Sequence, residues 1–275
     1  MVTLKGLIKT VSIVKNPITI LNMKLKKSVK VTFPNGSVFQ TTYSQFVILR
    51  DNYELIKKYH LQQINDKTFK VTTDNYHLIG SFTVMYIVDE IETGVYEYDY
   101  RNKVVLDIGG FEGESAVFFW SKGAKRVVIY EPVLEHQQFI CENIRLNGIN
   151  AEIHFEGIGD TDGEISVVYD KADNCFGLEM KEAQNKMSIK IKDISKVIAE
   201  SGADVAKIDC EGAEISLINV PKEVLRKLEY VIVEAHTSEI KQQLVEKFKD
   251  SGFTVYRDSG DCNVSIIHFK RVPDI

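Results

Sequence analysis

Negative charge is missing from the first fifty residues, where seven lysines and Arg50 stand without a single Asp or Glu. The whole chain has a formal net charge of −5, so that segment carries +8 and, by difference, residues 51–275 carry −13. A basic lead segment suits nucleic acid, an anionic membrane surface or the acidic remainder of its own chain. Its lysines are spread out with few aromatics between them, a weak pattern for nucleic acid. Long apolar runs are missing too: nothing approaches the roughly 20 consecutive apolar residues of a membrane-spanning helix. The mildly apolar start MVTLKGLIKTVSIVKN is interrupted by lysines and followed by no small-residue cleavage site, so neither a membrane span nor a signal peptide is expected. Cysteine is scarce. Cys141, Cys175, Cys210 and Cys262 form no C-x-x-C pair, which speaks against a zinc site and a disulfide framework and for reduced thiols in a cytoplasmic protein. The single tryptophan, Trp120, reads as core.

What is present describes a globular chain. With 275 residues and 44% hydrophobic content there is room for one large domain and a smaller one. Residues 1–85 are expected to form a small α+β domain. In VKVTFPNGSVFQ, β-rich runs flank Pro34-Asn35-Gly36, a strong hairpin signal. YSQFVILRDNYELIKKYHL follows as helix and FKVTTDNYHLIG as extended chain.

From about residue 103 short β-branched runs alternate with helical stretches: KVVLDIG, RVVIYEP, AEIHFEG, then, after a less regular piece at 161–192, a helix opened by Asp193, DVAKIDC, a helix near 213–228, YVIVEAH, a helix near 238–250, FTVYRD and NVSIIHFK. That rhythm predicts an α/β domain over 86–275 with a Rossmann-like, seven-stranded, mostly parallel sheet. No helix separates the last two strands, so the final strand is expected to run antiparallel.

In such a sheet the ligand crevice lies at the carboxyl ends of the strands. Asp107 ends the first strand, Glu131 the second, Asp160 follows the third, and Asp209 with Glu211 ends the fourth. Between Asp107 and the next helix, Gly109, Gly110 and Gly113 remove side chains where the backbone bends or approaches a neighbour. A P-loop requires Gly-Lys-Ser/Thr after its glycines, and here Glu112, Gly113 and Glu114 follow instead. Acids repel polyphosphates, and GGFEG does not supply the dinucleotide pattern G-x-G-x-x-G. A cationic nucleoside without phosphate fits better. S-adenosylmethionine offers an ammonium for Asp107, ribose hydroxyls for Glu131 and an adenine amine for Asp160. Plainer readings stand beside these: Asp107 as a turn or helix cap, Glu131 before Pro132 as a strand end leading into a helix, Asp160 as a loop acid, and Asn147-Gly148 as a helix terminus.

The segment from about Asp89 to His236 resembles the FkbM family of S-adenosylmethionine-dependent methyltransferases. DEIETGVYEYDYRNKVVLDIGGFEGES, YEPVLEHQQFICENIRLNG, EGIGDTDGEISV, DVAKIDCEGAEISLI and VIVEAH carry the likeness, in order and at suitable spacing. The family's first motif is usually D-x-G-A-N-x-G, whereas Gly110 and Phe111 stand here in place of Ala and Asn, with Glu112 next. The resemblance implies S-adenosyl-L-methionine as cofactor, with Asp107, Gly109, Gly110, Phe111, Gly113, Glu131, Pro132, Gly159, Asp160 and Asp209 around it. It also implies methylation of a hydroxyl on a small molecule, sugar or glycan; it does not extend to residues 1–85, where the small N-terminal domain is expected to help form the acceptor pocket.

Methyl transfer is a displacement in which alignment supplies much of the rate, and a base is needed only for a weakly acidic hydroxyl. Glu211 and His236, at the ends of adjacent strands, are the candidates, since a near-neutral imidazole suits proton removal. Plainer readings have His236 ending a strand and Glu211 and Glu214 as solvated acids at a helix start. Asp209, Glu211, Glu234 and His236 offer metal-type ligands, but no tight spacing demands an ion and none is expected. Two other readings remain: an RNA (tRNA) methyltransferase using the basic segment, against which DCEG stands where base-modifying enzymes hold an Asn-Pro-Pro-Tyr-like element, and a catalytically silent nucleoside-binding module.

Overall fold

The computed structural model describes residues 13–16, 28–169, 185–260 and 264–273. The chain divides into two compact units, Met1–Gly94 and Val95–Ile275. The expected boundary after residue 85 falls inside a continuous helix, Val84–Glu90, whose packing places it wholly with the first unit. Lys5, Lys9, Lys24, Lys26 and Lys27 of the basic lead segment lie outside the described residues, as do Cys175 and Cys262.

The first unit is α+β, as its sequence predicts. Strands β1 (Val29–Thr32) and β2 (Val38–Thr41) form the hairpin across Pro34-Asn35-Gly36, with Gly36 at φ +92°. Helix α1 (Tyr43–Asp51) starts on a capping box in which Thr42 and Gln45 exchange side-chain and backbone hydrogen bonds. After α2 (Tyr53–Lys58), strands β3 (Gln62–Gln63), β4 (Phe69–Thr72) and β5 (His77–Gly80) make an antiparallel sheet, and α3 is the Val84–Glu90 helix. Phe33, Phe39, Phe46 and Phe69 are buried in it.

The second unit is built on seven strands: β6 (Val104–Ile108), β7 (Arg126–Tyr130), β8 (Ala151–His154), β12 (Val205–Ile208), β13 (Tyr230–Ala235), β14 (Phe253–Gly260) and β15 (Ser265–Arg271). Their order across the sheet is β14-β15-β13-β12-β6-β7-β8. The first five in the chain pair in parallel, and β15 runs antiparallel between β13 and β14, as expected. From β6 the chain moves outward to β7 and β8, then returns to lay β12 on the other flank of β6. The connections therefore reverse between β6 and β12, which is where an open α/β sheet places its ligand crevice.

Helices cover the sheet: α4 (Glu114–Ser121), α5 (Leu134–Asn147), α6 (Ile194–Ser201), a short α7 (Lys222–Leu225) and α8 (Ser238–Asp250). The caps are those the sequence signals. Asp193 accepts from Ser195 N at 2.8 Å to open α6, and Gly148 closes α5 at φ +61°. Leu244 and Phe248 anchor α8 in the core, where Phe248 stacks on Phe269 with centroids 4.1 Å apart. Full burial of such side chains contributes roughly 1.5–3 kcal/mol each.

Three expectations are corrected. The helix expected near 213–228 is a 3-10 turn, Ala213–Asn219, followed by α7, because Pro221 supplies no backbone donor. The irregular piece at 161–192 holds strands: β10 (Gly163–Tyr169) and most of β11 (Asn185–Asp193) lie in it, and with β9 (Gly157–Gly159) just before it they form a separate sheet ordered β10-β11-β9. Trp120 is only partly buried at the end of α4, while Phe118 and Phe119 fill the core there. On the outer edge, β14 breaks register with β15 between Val255 and Arg257, a bulge centred on Tyr256.

Strands β6 and β12 leave no room for a side chain where they part. A Cβ on Gly109, at φ +77°, would lie 1.6 Å from the Asp209 carbonyl oxygen. Gly148 also has a positive φ, +61°, but a Cβ there meets nothing within 4 Å. Gly148→Ala is therefore expected to cost about 1–2 kcal/mol, the left-handed penalty alone. Gly109→Ala should cost several times as much, a contrast that urea unfolding followed by circular dichroism reads directly.

Candidate functional site

Four backbone hydrogen bonds set the rim. Gly109 N and Gly110 N both donate to Tyr130 O, at 2.9 and 3.2 Å, Asp209 N donates to Ile108 O at 3.0 Å, and Glu131 N to His154 O at 3.0 Å. They extend the parallel pairing just past the strand ends and bring Asp107, Glu131 and Asp209 to neighbouring positions. Gly110 sits between two of these acids: a Cβ there would meet Ile129 Cγ2 at 2.5 Å, Asp107 Oδ2 at 3.8 Å and the Glu131 Cβ at 4.0 Å. Gly113, at φ +92°, lets α4 approach α5, where Ile140 Cα would be 3.3 Å from an added Cβ.

Asp107 is wholly buried. Its Oδ2 accepts from Ser115 Oγ at 2.6 Å, while Oδ1 has no hydrogen-bond donor and lies 3.6 Å from Lys207 Nζ. Burial pushes its carboxyl above the usual range, opposed by Lys207 and Ser115. Glu131 is 5% exposed and braces the glycine turn. Its Oε2 accepts from Phe111 N at 2.9 Å; Oε1 accepts from Val133 N at 2.9 Å and faces His136 Nδ1 at 3.2 Å. Phe111 holds a left-handed φ of +43°, and its ring packs on His136 with centroids 4.2 Å apart. Glu112 and Glu114 are buried beside it. Burial and the nearby Glu112 hold the Glu114 carboxyl well above its ordinary pKa.

Lys207 is the residue that sequence reasoning missed. It lies directly opposite Asp107 in the β12–β6 register and is 3% exposed. Its Nζ donates to Gly109 O at 2.6 Å and lies 3.3 Å from Asp209 Oδ2. Burial works against its charge, but Asp209 and Asp107 outweigh it and keep the ammonium protonated. The signal was available in DVAKIDC: a lysine inside a strand buried on both faces requires carboxylates beside it.

The second cluster lies at the ends of β12 and β13. His236 Nδ1 is 3.0 Å from Glu214 Oε1, and its Nε2 lies 3.5 Å from Glu211 Oε2 and 3.9 Å from Glu234 Oε1. Glu214 is fully buried, not solvated as its position at a helix start suggested, and also accepts from Gly212 N at 2.7 Å and His236 N at 3.1 Å. Burial alone would raise Glu214, but the His236 hydrogen bond and the backbone donors leave its carboxyl below the usual range. The same bond to Glu214 lifts His236 to about 9. The expected neutral imidazole is therefore an imidazolium at pH 7, with no lone pair to accept a proton. Glu211 stands outermost, with its side chain 48% exposed, φ at +53° and its carboxyl raised by partial burial.

Asp160 stands further out. It follows β9 in the smaller sheet, is exposed, and its Oδ1 accepts from Asn219 Nδ2 at 3.0 Å, which ties it to the turn after β12. Gly159 has a packing reason of its own, since a Cβ there would lie 2.9 Å from Ile191 Cγ2. Pro132 is half-buried beside Gly157. Asp209, Glu234 and His236 bring potential metal ligands within 4.8 Å of one another. Asp209 already faces Lys207, and both ring nitrogens of His236 face carboxylates, so this set is compensated from within. A cavity of about 490 Å³ lined by Tyr98, Arg101, Tyr256 and Lys270 opens at the opposite ends of the strands. Among the described residues no helix is long and apolar enough to cross a membrane.

No family model matches the chain, and no curated protein matches it. Solved structures do. A ribosomal protein L11 methylase from Lactobacillus delbrueckii subsp. bulgaricus is 16% identical at a TM-score of 0.38, covering 69% of this chain and 78% of its own. A precorrin-6y C5,15-methyltransferase from Geobacter metallireducens GS-15 is 14% identical at a TM-score of 0.42, covering 68% and 88%. A candidate methyltransferase complexed with SAH is 11% identical at a TM-score of 0.47, covering 87% and 69%. None of these likenesses bears on which side chains bind or react.

The His236–Glu214 pair makes stability depend on pH. An imidazole raised from 6.5 to about 9 on folding contributes fully below pH 6.5, and that contribution is lost as pH rises through 9. The urea midpoint should fall between pH 6.5 and 9.5, and His236→Asn should remove most of that slope.

Proposed function

We propose that the chain is an S-adenosylmethionine-dependent methyltransferase of the FkbM kind, acting on a hydroxyl of a small molecule, sugar or glycan. One observation carries the reading. At the point where the strand connections reverse, Asp107 is buried with Oδ1 lacking a hydrogen-bond donor. Lys207 Nζ, 3.6 Å away, balances its charge without a short hydrogen bond, so the oxygen keeps acceptor capacity, and a ligand ammonium is a donor of the right charge. The neighbouring groups fit the rest of the molecule. An ionised carboxylate has about four acceptor positions, and Glu131 uses one of those on Oε2 for Phe111 N, leaving that oxygen able to take a ribose hydroxyl. The acids around the turn disfavour a polyphosphate and favour a cation.

When bound, S-adenosylmethionine supplies a methyl group on a cationic sulfur that departs as a neutral thioether. Asp107 and the Gly109 carbonyl hold its ammonium, Glu131 the ribose, and Asp160 the adenine amine. Phe111, Pro132 and Gly159 border the nucleoside, and Asp209 lies with Asp107 toward the amino-acid end of the donor. Glu211, exposed and with a raised carboxyl, takes the acceptor's proton. His236 holds Glu211 in place as a cation. Of the two candidates this leaves the base role to the carboxylate, in keeping with the protonated state of His236.

Calorimetry with S-adenosylmethionine and S-adenosylhomocysteine tests the reading. Both are expected to bind, and Glu131→Ala should weaken both at least tenfold, about 1.4 kcal/mol or more. Absence of binding by either ligand overturns it. With labelled donor and a panel of hydroxyl acceptors, Glu211→Gln should slow transfer about a hundredfold while leaving donor affinity intact. Full turnover in that variant removes Glu211 as the base. Labelling of tRNA that falls steeply with salt would move the acceptor to RNA, and binding with no transfer to any acceptor would favour a silent module.

A further inference from the structure

Lys207 takes no part in the transfer as described above, yet it is a cation buried at the crevice, 3% exposed. A buried ammonium has three donors to place, and three acceptors surround this one: Gly109 O at 2.6 Å, Asp209 Oδ2 at 3.3 Å and Asp107 Oδ1 at 3.6 Å. Two of these belong to β6 and the turn after it, and the third to the end of β12. The ammonium thus spans the gap between the two strands at the point where they separate. Only the contact to Gly109 is a short hydrogen bond; the two carboxylates are held by charge at longer range, so each keeps acceptor capacity for something else.

We propose that Lys207 is the positioning residue for the amino-acid end of the methyl donor, fixing the Gly109 carbonyl and the Asp107 and Asp209 carboxylates in the arrangement that receives it. The inference rests on the cofactor reading above. A nucleoside whose ribose lies at Glu131, at the end of β7, extends across β6 toward β12, so its amino-acid end reaches the groups that Lys207 organises. The charge count agrees. Two carboxylates and one ammonium leave this trio with one net negative charge, opposite to the single net positive charge of the donor. Without Lys207, two like charges would face the Gly109 carbonyl dipole with nothing between them, and the three acceptors would move apart or Asp107 would take up a proton.

The test uses three probes on the full chain: S-adenosylmethionine, S-adenosylhomocysteine and 5′-methylthioadenosine, which keeps the adenosine and thioether but lacks the amino-acid end. In Lys207→Met, affinity for the first two is expected to fall at least tenfold and affinity for the third to change less than twofold. A merely structural lysine would weaken all three together, and that result overturns the proposal, as does unchanged binding of all three. Asp209→Asn keeps the Lys207 side chain, alters a partly exposed residue with little change in shape, and provides a second arm should the Met variant fail to fold. It should lose S-adenosylmethionine affinity severalfold with 5′-methylthioadenosine unaffected, and equal effects on both would count against the proposal. A wild-type chain that binds none of the three overturns the cofactor reading itself. Binding of all three by wild type with no selective loss in either variant overturns only the role of Lys207.

Discussion

Carboxylates are crowded onto neighbouring strand ends, and two cations set among them make the crowding tolerable. Like charges about 4 Å apart repel by about 4 kcal/mol at an effective dielectric of 20. Lys207 sits between Asp107 and Asp209, and His236 sits among Glu211, Glu214 and Glu234. Each cation is drawn toward its proton by the acids it separates, so the arrangement is mutually enforcing. The outcome is a crevice in which acids outnumber the cations set among them. The same logic explains why an imidazole at this position does not behave as a free base: the neighbours that orient it also keep it charged.

Backbone geometry is the other half of the construction. Phe111 and Glu211 follow β6 and β12, and both adopt left-handed φ values, +43° and +53°, that residues with side chains rarely occupy. Strain of this kind persists where surrounding structure over-determines it. Phe111 N is held by Glu131, its ring by His136, and the Gly109 carbonyl by Lys207. The usual Ala of the resembling family at position 110 is barred here by Ile129 Cγ2, 2.5 Å from where its Cβ would stand. Gly110 and Phe111 are thus part of a locally consistent turn.

Much of this was legible in the sequence because the signals are local. Alternating β-branched and helical runs located the seven strands, Asp193 and Gly148 marked helix ends, and the absence of a helix between FTVYRD and NVSIIHFK announced the antiparallel strand. Strand-end acids could be placed for the same reason, since order along the chain fixes which residues reach the rim. What escaped was decided by packing between distant segments. Lys207 is signalled by its place inside a doubly buried strand, but which carboxylates surround it, and that Glu214 is enclosed at all, is decided by strand register and turn closure. The strand near 185–193 does carry an alternating run, MSIKIK, that marks it in the sequence, while the strand near 163–169 takes its form from pairing with it. Asp160 was placed at the main sheet because the step from β8 into the smaller sheet leaves no mark in AEIHFEGIGD.

The bulge at Tyr256 has a bearing on the outer margin of the sheet. Strand β14 is eight residues long and has no neighbour on its far side among the described residues, the geometry that invites a foreign chain to add itself. The register break between Val255 and Arg257 twists the strand midway, so its free amides and carbonyls do not form one continuous template. Growth of the sheet by accretion is thereby discouraged at the very edge where the antiparallel insertion of β15 left it open.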